Sequence, residues 1–291
     1  MNRNNIIFMS SLGFDINKIQ KIIDYNIDLC KISSTDLYGL NFLSNEDVKL
    51  IIKNRNSHYY NDFQEKIKES KIKIYTIFDK DYPYNLRNII KAPLILYTKG
   101  KIYKNEFQIA VIGSRTPSPY GRWACKEISN IIARRNICIV SGLARGIDRY
   151  AHKNALDNNR RTVGVLGSGI DIIYPKENKD IYYKMMDKGG IISEFPMGTK
   201  PFAYNFPRRN RIISALSQIV IVIEAKERSG TMITTNYALE QGKDILSLCG
   251  NINNELSKGT NSLIKKGAYP ITSLEDLDEY LDTFVLTKVD V

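Results

Sequence analysis

Cysteine and histidine are scarce in this chain of 291 residues. The cysteines are Cys30, Cys125, Cys138 and Cys249, and the histidines are His58 and His152. Because no C-x-x-C pair and no cluster with metal-ligand spacing occurs, the sequence predicts neither a zinc site nor a disulfide framework. We therefore expect reduced thiols, no metal and no cofactor.

Long apolar runs are also absent. The apolar run in the opening stretch MNRNNIIFMSSLG has only four residues, which is too short for the core of a signal peptide. No run anywhere approaches the ~18 residues that a membrane span needs. These absences predict a cytoplasmic protein without a membrane partner.

The common nucleotide-binding and nucleophile signatures are missing as well. The stretch GVLGSG has glycines at Gly164, Gly167 and Gly169, which is not the G-x-G-x-x-G spacing, and no G-x-x-x-x-G-K-[ST] occurs. No serine, cysteine or histidine stands in a recognisable nucleophile setting, and we expect His152 to pack beside a sheet. The sequence thus predicts no catalytic residue and a protein that is not an enzyme.

Positive charge, by contrast, is abundant and concentrated. The chain has a formal net charge of +11, and 11 of its 15 arginines fall within residues 106–225. That segment carries a formal charge of +8, whereas residues 226–291 carry −3. Such a concentration favours a polyanionic partner over evenly solvated surface charge.

The sequence predicts two domains, and the second of them has two parts. Residues 1–68 have the apolar periodicity of helices and are predicted to form a small helical domain, and residues 69–291 are predicted to form a second domain. At the start of the second domain, residues 72–77 and 93–98 are typical of two short strands that extend the edge of a sheet.

From residue 107 onward, apolar strands, glycine-containing turns and helices alternate. Strands are predicted to end at Gly113, Gly142 and Gly167, at intervals of 29 and 25 residues, close to the ~30 residues of a βαβ unit. Further strands fit GGIISEF, QIVIVIEA and DILSLCG. The predicted fold class is α/β, with a doubly wound, mostly parallel sheet.

Glycine and hydroxyl residues recur at the predicted strand ends, where parallel sheets bind ligands. These candidate anion-binding residues are Gly113, Ser114 and Arg115, then Ser141 and Gly142, then Ser229, Gly230 and Thr231. Each turn alone is weak evidence, because glycine and serine also form ordinary strand-to-helix turns. Together they predict a phosphate-binding edge.

The stretch NFPRRNRIISALS places three arginines at the start of a helix predicted over residues 208–216. Cations at a helix N-terminus oppose the helix dipole, so we expect an anion there and no neutralising carboxylate nearby. The interleaved lysine and aromatic residues favour single-stranded nucleic acid. The candidate nucleic-acid-binding residues of this part are Lys200, Phe206, Arg208, Asn210 and Arg211.

Seven ordered blocks resemble the DNA-processing protein A family, DprA or Smf. They are VIGSR, SGLARGIDRYAH, VLGSGIDIIYP, SEFPMGTKP, FPRRNRIISALS, VIVIEAKERSGTMITT and GTNSLIKKGA, and the likeness runs over residues 72–271. The resemblance implies an extended Rossmann-like domain after a helical domain that is similar to a sterile alpha motif. It also implies DNA-contacting roles for Arg115, Lys200, Arg208 and Arg211.

By the same resemblance, the protein is expected to bind single-stranded DNA without marked sequence preference, to protect incoming DNA and to load the RecA recombinase during natural transformation. It is also expected to form a homodimer. After Ile271 the sequence predicts an acidic helix and a tail, so we expect a departure from the many family members that carry a winged helix there. Ala215 also stands where related sequences often have glycine.

Two alternatives remain open at the level of sequence. Phosphoribohydrolases of the lysine-decarboxylase-like type share a related fold and need a glutamate in their P-G-G-x-G-T-x-x-E motif, but Thr234 occupies that position here. An adaptor that presents its basic face to an acidic protein is the other alternative.

Overall fold

The computed structural model describes the backbone of residues 2–289 and the side chains of residues 3–284. Its N-terminal region is helical, as predicted. The helices are α1 (Asn2–Ser11), α2 (Ile16–Asp24), α3 (Ser34–Tyr38), α4 (Asn45–Arg55) and α5 (Tyr59–Glu69). Local chemistry starts them: Ser44 and Asp47 form a capping box at α4, and Asp15 caps α2. The division into two domains at residue 68 and the likeness to a sterile alpha motif stay predictions.

A sheet of nine strands follows. The strands are β1 (Lys73–Thr76), β2 (Ile95–Gly100), β3 (Gln108–Ile112), β4 (Cys138–Ser141), β5 (Thr162–Val165), β6 (Gly190–Ser193), β7 (Ile219–Val222), β8 (Asp244–Leu248) and β9 (Tyr269–Ile271). Their order is β1-β2-β6-β5-β4-β3-β7-β8-β9. The pairs β1/β2 and β2/β6 are antiparallel and the other pairs are parallel. The predicted α/β class, with its mostly parallel Rossmann-like sheet and antiparallel edge extension, is confirmed.

Helices cover both faces of the parallel part. They are α6 (Pro119–Arg134), α7 (Ile147–Asp157), α8 (Lys179–Lys188), α9 (Asn205–Leu216), α10 (Gly230–Glu240), α11 (Lys258–Lys265) and α12 (Leu274–Val289). Alternate residues of β3 enter separate cores, Ile109 and Val111 beside α6 and α7, and Ala110 and Ile112 beside α9. No helix within residues 2–289 is both long and apolar enough to cross a membrane.

Two elements differ from the sequence-based prediction. Helix α9 begins at Asn205, one turn earlier than predicted, so that Pro207 lies in its first turn. Strand β9 was not predicted, because three residues that include Pro270 give too short a pattern; proline is tolerated there since β9 is the last strand of the sheet. The predicted acidic C-terminal helix corresponds to α12, and residues 290–291 of the predicted tail lie outside the described residues.

The N-terminal helices pack directly on the sheet. Residues of α1 and α2 share one apolar core with Tyr97 of β2 and with Met185 of α8. The hydroxyls of Ser10 and Tyr97 are hydrogen-bonded at 2.9 Å, and burial raises the pKa of the Tyr97 phenol. This packing brings the turn between α1 and α2 to the segment that follows β6.

The chain reverses its direction of strand addition at β3. From β3 it adds β4, β5 and β6 on one side, and it then returns to add β7, β8 and β9 on the other. The carboxyl ends of β3 and β7 therefore flank a topological switch point, where ligands of such sheets bind.

Candidate nucleic-acid interface

The turn after β3 brings Gly113, Ser114 and Arg115 to the switch point. The carbonyl oxygen of Ser114 accepts a hydrogen bond from the backbone N–H of Ile147 at 3.0 Å, and the hydroxyl of Thr231 donates to the carbonyl oxygen of Gly113 at 3.1 Å. A Cβ at Gly113 would lie 2.8 Å from Ile147 Cγ1. The first turns of α7 and α10 thus hold this backbone in place and leave no room for a larger residue.

Arg115 is exposed at this turn, and its guanidinium lies over an aromatic ring. Its Cζ atom is 5.7 Å from the centroid of the half-buried Phe206 ring. The ring of Tyr174, 47% exposed, lies 5.8 Å from that of Phe206. Sequence reasoning missed Tyr174, although the block VLGSGIDIIYP contains it. Arg115, Phe206 and Tyr174 thus present a cation and two ring faces together.

The three arginines of α9 do not form one cluster. Arg208 is half-buried and places its Cζ atom 5.3 Å from the centroid of the Phe195 ring, whereas Arg209 and Arg211 are buried, with 4% and 6% of their surface exposed. Arg208 and Arg211 share one side of the helix because they are three residues apart, and Arg209 points about 100° away. Only Arg208 of the three can receive a phosphate without rearrangement.

Arg211 forms a buried ion pair with Glu194. Its Nη2 atom lies 2.6 Å from Glu194 Oε2, and the two side chains are 7% and 5% exposed. The expectation that no carboxylate lies near the α9 arginines is therefore wrong for Arg211. A buried ion pair of this kind loses much stability when one partner is removed, which gives Arg211 a structural role beneath the interface.

Arg209 ties α9 to the ends of two strands. Its Nη1 atom donates to the carbonyl oxygens of Gly142 at 2.5 Å and of Val165 at 2.7 Å. Burial lowers the pKa of Arg209 to about 10, while the nearby Asp148 carboxylate opposes the shift. Burial in turn raises the pKa of Asp148, against the effect of Arg209. This guanidinium therefore supports the interface from below.

The predicted turn after β4 lies inside the molecule. The Ser141 hydroxyl donates to the carbonyl oxygen of Val111 at 2.7 Å, and the backbone N–H of Gly142 donates to Asp148 Oδ2 at 3.1 Å. Both residues are buried. The sequence-based prediction that Ser141 and Gly142 contact DNA at the surface is therefore corrected, because the polar groups of this turn already bind other parts of the protein.

The turn after β7 is only partly accessible. Asn210, 7% exposed, donates its side-chain N–H to the carbonyl oxygen of Gly230 at 3.2 Å, which joins α9 to α10. The Ser229 hydroxyl donates to the carbonyl oxygen of Lys226 at 3.0 Å. Gly230 is exposed, with nothing within 4 Å of the position of a Cβ. Gly230 and the helix N-terminus thus remain open to a ligand, whereas Asn210 positions the two helices.

The loop before α9 presents Lys200 and two stacked rings. Lys200 is exposed. The rings of Phe202 and Tyr204 lie 5.4 Å apart with an interplanar angle of 10°, and they are 45% and 64% exposed. Phe195, at the start of the same loop, is buried at 5%. Exposed, parallel rings beside a lysine are a platform on which bases can stack.

His152 packs against the sheet, as predicted. Its Nε2 atom accepts a hydrogen bond from the backbone N–H of Leu143 at 3.3 Å, and Nδ1 lies 2.6 Å from the Thr162 hydroxyl. Burial, with the nearby Arg209, lowers the pKa of His152 to about 3. The imidazole is neutral and inaccessible. Within residues 3–284, no group of three or more histidine, cysteine and acidic side chains is arranged to hold a metal.

Ion pairs neutralise most of the arginines in residues 106–225. Among the described side chains, the paired ones are Arg134, Arg135, Arg145, Arg149, Arg161 and Arg211. Arg115 and Arg208 form no such pair. In the part of the chain that the structure describes, Arg115, Arg208 and Lys200 thus remain as cations without an ion pair near the carboxyl ends of the strands, and the unpaired arginines of this segment are fewer than its charge count indicated.

The alternative enzyme active site lacks its glutamate. Thr234, at the corresponding position, is 3% exposed on α10, and its hydroxyl faces the carbonyl oxygen of Gly230 at 3.5 Å. Three buried acids do lie near the strand ends: Asp148, Glu224, and Glu194, which is paired with Arg211. Glu224 accepts hydrogen bonds from the N–H and hydroxyl of Ser118 at 2.9 and 2.5 Å, and thus holds the start of α6.

Comparison with known proteins places these features in a family context. A family model described as DNA recombination-mediator protein A matches residues 73–282. The chain is similar to protein Smf of Escherichia coli, with 44% identity over 203 residues, covering 69% of this chain and 54% of the relative. It is also similar to DNA processing protein DprA of Streptococcus pneumoniae, with 39% identity over 224 residues and 76% of each chain covered. The chain thus spans about half the length of the first relative and three quarters of the second.

Two solved structures resemble this fold. DNA processing protein A from Streptococcus pneumoniae gives a TM-score of 0.78 at 33% identity, with 94% of this chain and 96% of that chain covered. DNA processing protein A from Helicobacter pylori, a structure concerned with the single-stranded DNA binding mode of that protein, gives a TM-score of 0.67 at 29% identity. It covers 73% of this chain and 96% of that chain. The first likeness extends over the N-terminal helices as well as the sheet.

Proposed function

The chain belongs to the DNA recombination-mediator protein A family, and on that premise we propose that it binds single-stranded DNA at the switch point and acts as a recombination mediator. The observation that carries the proposal is the exposed Arg115 guanidinium over the Phe206 ring, without a carboxylate partner among the described side chains. An arginine in this setting can grip a phosphate with two parallel hydrogen bonds.

Contacts with DNA are assigned to the accessible groups. Arg115, Arg208 and Lys200 receive phosphates, and Phe206 offers a ring face. The backbone of Ser114 and the N-terminus of α10 at Ser229, Gly230 and Thr231 lie beside Arg115 and add N–H donors. Arg209, Asn210 and Arg211 hold α9 in position. The buried Ser141 and Gly142 belong to the strand end to which Arg209 binds. This division replaces the uniform set of contacts predicted from sequence.

The accessible aromatic groups favour a single strand over a duplex. Phe202 and Tyr204 expose nearly parallel rings close to Lys200 in sequence, and Tyr174 adds a third ring beside Phe206. Unpaired bases can stack on such faces, whereas the bases of a duplex are already stacked on one another. Stacking distinguishes poorly among bases, which agrees with binding that has no marked sequence preference.

Protection of incoming DNA, loading of RecA during natural transformation, homodimerisation and a cytoplasmic location are further parts of the proposal. They rest on the family and not on contacts described above. A mediator of this kind carries no catalytic group, which is consistent with the neutral His152 and with Thr234 at the position of the phosphoribohydrolase glutamate. An assay for base release from nucleoside monophosphates tests the enzyme alternative, and robust turnover would overturn this part.

Equilibrium binding to an oligothymidine, and to a duplex of equal length, tests the DNA-binding part directly. We expect tight binding of the single strand and a clear preference for it over the duplex. The logarithm of the binding constant should fall linearly with the logarithm of the salt concentration. In a RecA filament assay on strands pre-coated with single-strand-binding protein, the chain should accelerate RecA assembly. Equal affinity for the two DNA forms would contradict the proposed interface, and normal binding without acceleration would contradict the mediator role.

A further inference from the structure

A pocket of about 250 Å³ lies where the turn between α1 and α2 meets the segment that follows β6. Phe14 and Asp15 line it from the helical side, and Phe195, Tyr204 and Arg208 line it from the other. This volume is just below the ~300 Å³ at which pockets begin to hold drug-sized ligands. It therefore suits a group of one or two rings.

The walls of the pocket are suited to a flat, aromatic ligand. Phe14 is half-buried, and Tyr204 is 64% exposed. The Arg208 guanidinium lies 5.3 Å from the Phe195 ring centroid and offers a planar cation beside the rings. Rings and guanidinium planes are the surfaces on which unstacked bases bind.

Two carboxylates indicate the polarity of the ligand. Asp15 accepts one hydrogen bond, from the backbone N–H of Asn17 at 2.8 Å. Glu194 also lines the pocket, but its Oε2 atom binds Arg211 and its Oε1 atom is buried, so this residue adds negative charge to the wall and no accessible acceptor. Negative groups disfavour an anion inside the pocket and favour a neutral ligand with N–H donors. Each DNA base has such a donor on its pairing edge.

The mouth of the pocket adjoins the proposed phosphate contacts. Helix α9 carries both Phe206, over which Arg115 lies, and Arg208, which forms part of the pocket wall. A strand that places phosphates on these two arginines would bring a neighbouring base to the pocket.

We propose that this pocket takes one unstacked base of the bound single strand. The base lies against Phe14 and Tyr204, with its N–H edge toward the carboxylate of Asp15. The inference rests on the proposed function and deepens it, because it gives the N-terminal helical region a direct part in DNA binding.

Replacement of Phe14 on two kinds of strand tests the proposal. One probe is an oligothymidine, and the other is an abasic oligomer of the same length with the same phosphates and no bases. Phe14→Ala should weaken oligothymidine binding about tenfold. It should leave binding of the abasic oligomer, and the salt dependence of both, unchanged.

The matched control is Phe42→Ala. Phe42 is a partly buried ring that packs against the same helical core, stacks on Tyr25 at 5.7 Å and does not line the pocket. It should bind both oligomers like the unmodified protein, and thermal unfolding should show that both variants are folded. Phe14→Leu, which keeps most of the apolar volume without the ring, should show the same selective loss as Phe14→Ala.

Three outcomes would overturn the proposal: unchanged affinity of Phe14→Ala for oligothymidine, an equal loss on the abasic oligomer, or an equal loss in Phe42→Ala. A probe that needs no variant is an oligomer of N3-methylthymidine, which lacks the N–H donor. The unmodified protein should bind it several-fold more weakly than oligothymidine, and equal binding would again overturn the proposal. Failure of the proposed function is distinct, because the unmodified protein would then bind neither oligothymidine nor the abasic oligomer.

Discussion

The Nη1 atom of Arg209 lies 2.5 Å from the carbonyl oxygen of Gly142 and binds it beneath the first turn of α9. Since the same nitrogen also donates to Val165, one guanidinium joins the helix to the ends of β4 and β5. The contact explains the glycine, because a Cβ at position 142 would lie 1.9 Å from Nη1. The orientation of α9, and with it the position of Arg208, depends on this arrangement.

Gly142→Ala is expected to displace Arg209 and to destabilise the protein. Overpacking of this kind costs about 1 to 3 kcal/mol, so the free energy of unfolding in denaturant should fall by that amount. Gly230→Ala is the control for stability, because nothing lies within 4 Å of its Cβ position and alanine is the better helix former. Equal stability of the two variants would contradict a packed contact at Gly142.

Arg211→Ala is expected to be strongly destabilising. It leaves Glu194 buried without its partner, for which the free energy of unfolding typically falls by about 3 to 5 kcal/mol. The double variant Arg211→Met with Glu194→Leu removes both charges and should recover most of the stability. If Arg211 only positions α9, the double variant also recovers affinity for the abasic oligomer, whose binding does not depend on the base pocket that Glu194 lines. Persistent weak binding by a stable double variant would instead mean that Arg211 contacts phosphate.

The sequence predicted most of the parallel strands and the glycine-containing turns that follow them, because apolar runs and glycines are local signals. It could not predict the separate environments of Arg208, Arg209 and Arg211. Those depend on which side of α9 faces the sheet, and on Glu194, which precedes Arg211 by 17 residues and reaches it only through the fold. A charge count cannot distinguish a buried cation from an exposed one.

The stability of the protein should fall below about pH 6.5 because of His152. Burial lowers the pKa of its imidazole to about 3 from an ordinary value of 6.5. Between these values the unfolded chain binds a proton that the folded chain does not, so lowering the pH favours unfolding. One such group contributes about 1.4 kcal/mol per pH unit, or roughly 2.7 kcal/mol between pH 6.5 and 4.5.

Urea unfolding of the native protein and of His152→Gln across this range measures that contribution. The variant should have a shallower pH dependence, by about one proton. The raised pKa of the buried Asp148 acts in the opposite direction, since its folded form holds a proton more readily than the unfolded chain. Because both proteins contain Asp148, the difference between them isolates the imidazole. Identical slopes would mean that His152 is charged in the folded state.

Tyr204→Ala and Lys200→Ala should weaken DNA binding in different ways. Both side chains are exposed, so neither change should alter thermal unfolding. Loss of the Tyr204 ring removes stacking, worth ~1 to 3 kcal/mol per base, and should leave the slope of log K against log salt unchanged. Loss of Lys200 should reduce that slope by about 0.7, the value for one contact with a single strand. Measured slopes that do not differ between the variants would contradict this assignment.

Arg115→Ala is expected to weaken binding of any single strand about tenfold at low salt, because a charge-assisted contact with phosphate is lost. The slope of log K against log salt should fall by about 0.7. Arg160→Ala is the matched control: it changes the net charge equally, but Arg160 precedes β5 at the opposite edge of the sheet, where it donates to Asn136 Oδ1 at 2.9 Å. If the two variants lost equal affinity, binding would depend on net charge alone, and the switch point would not be the interface.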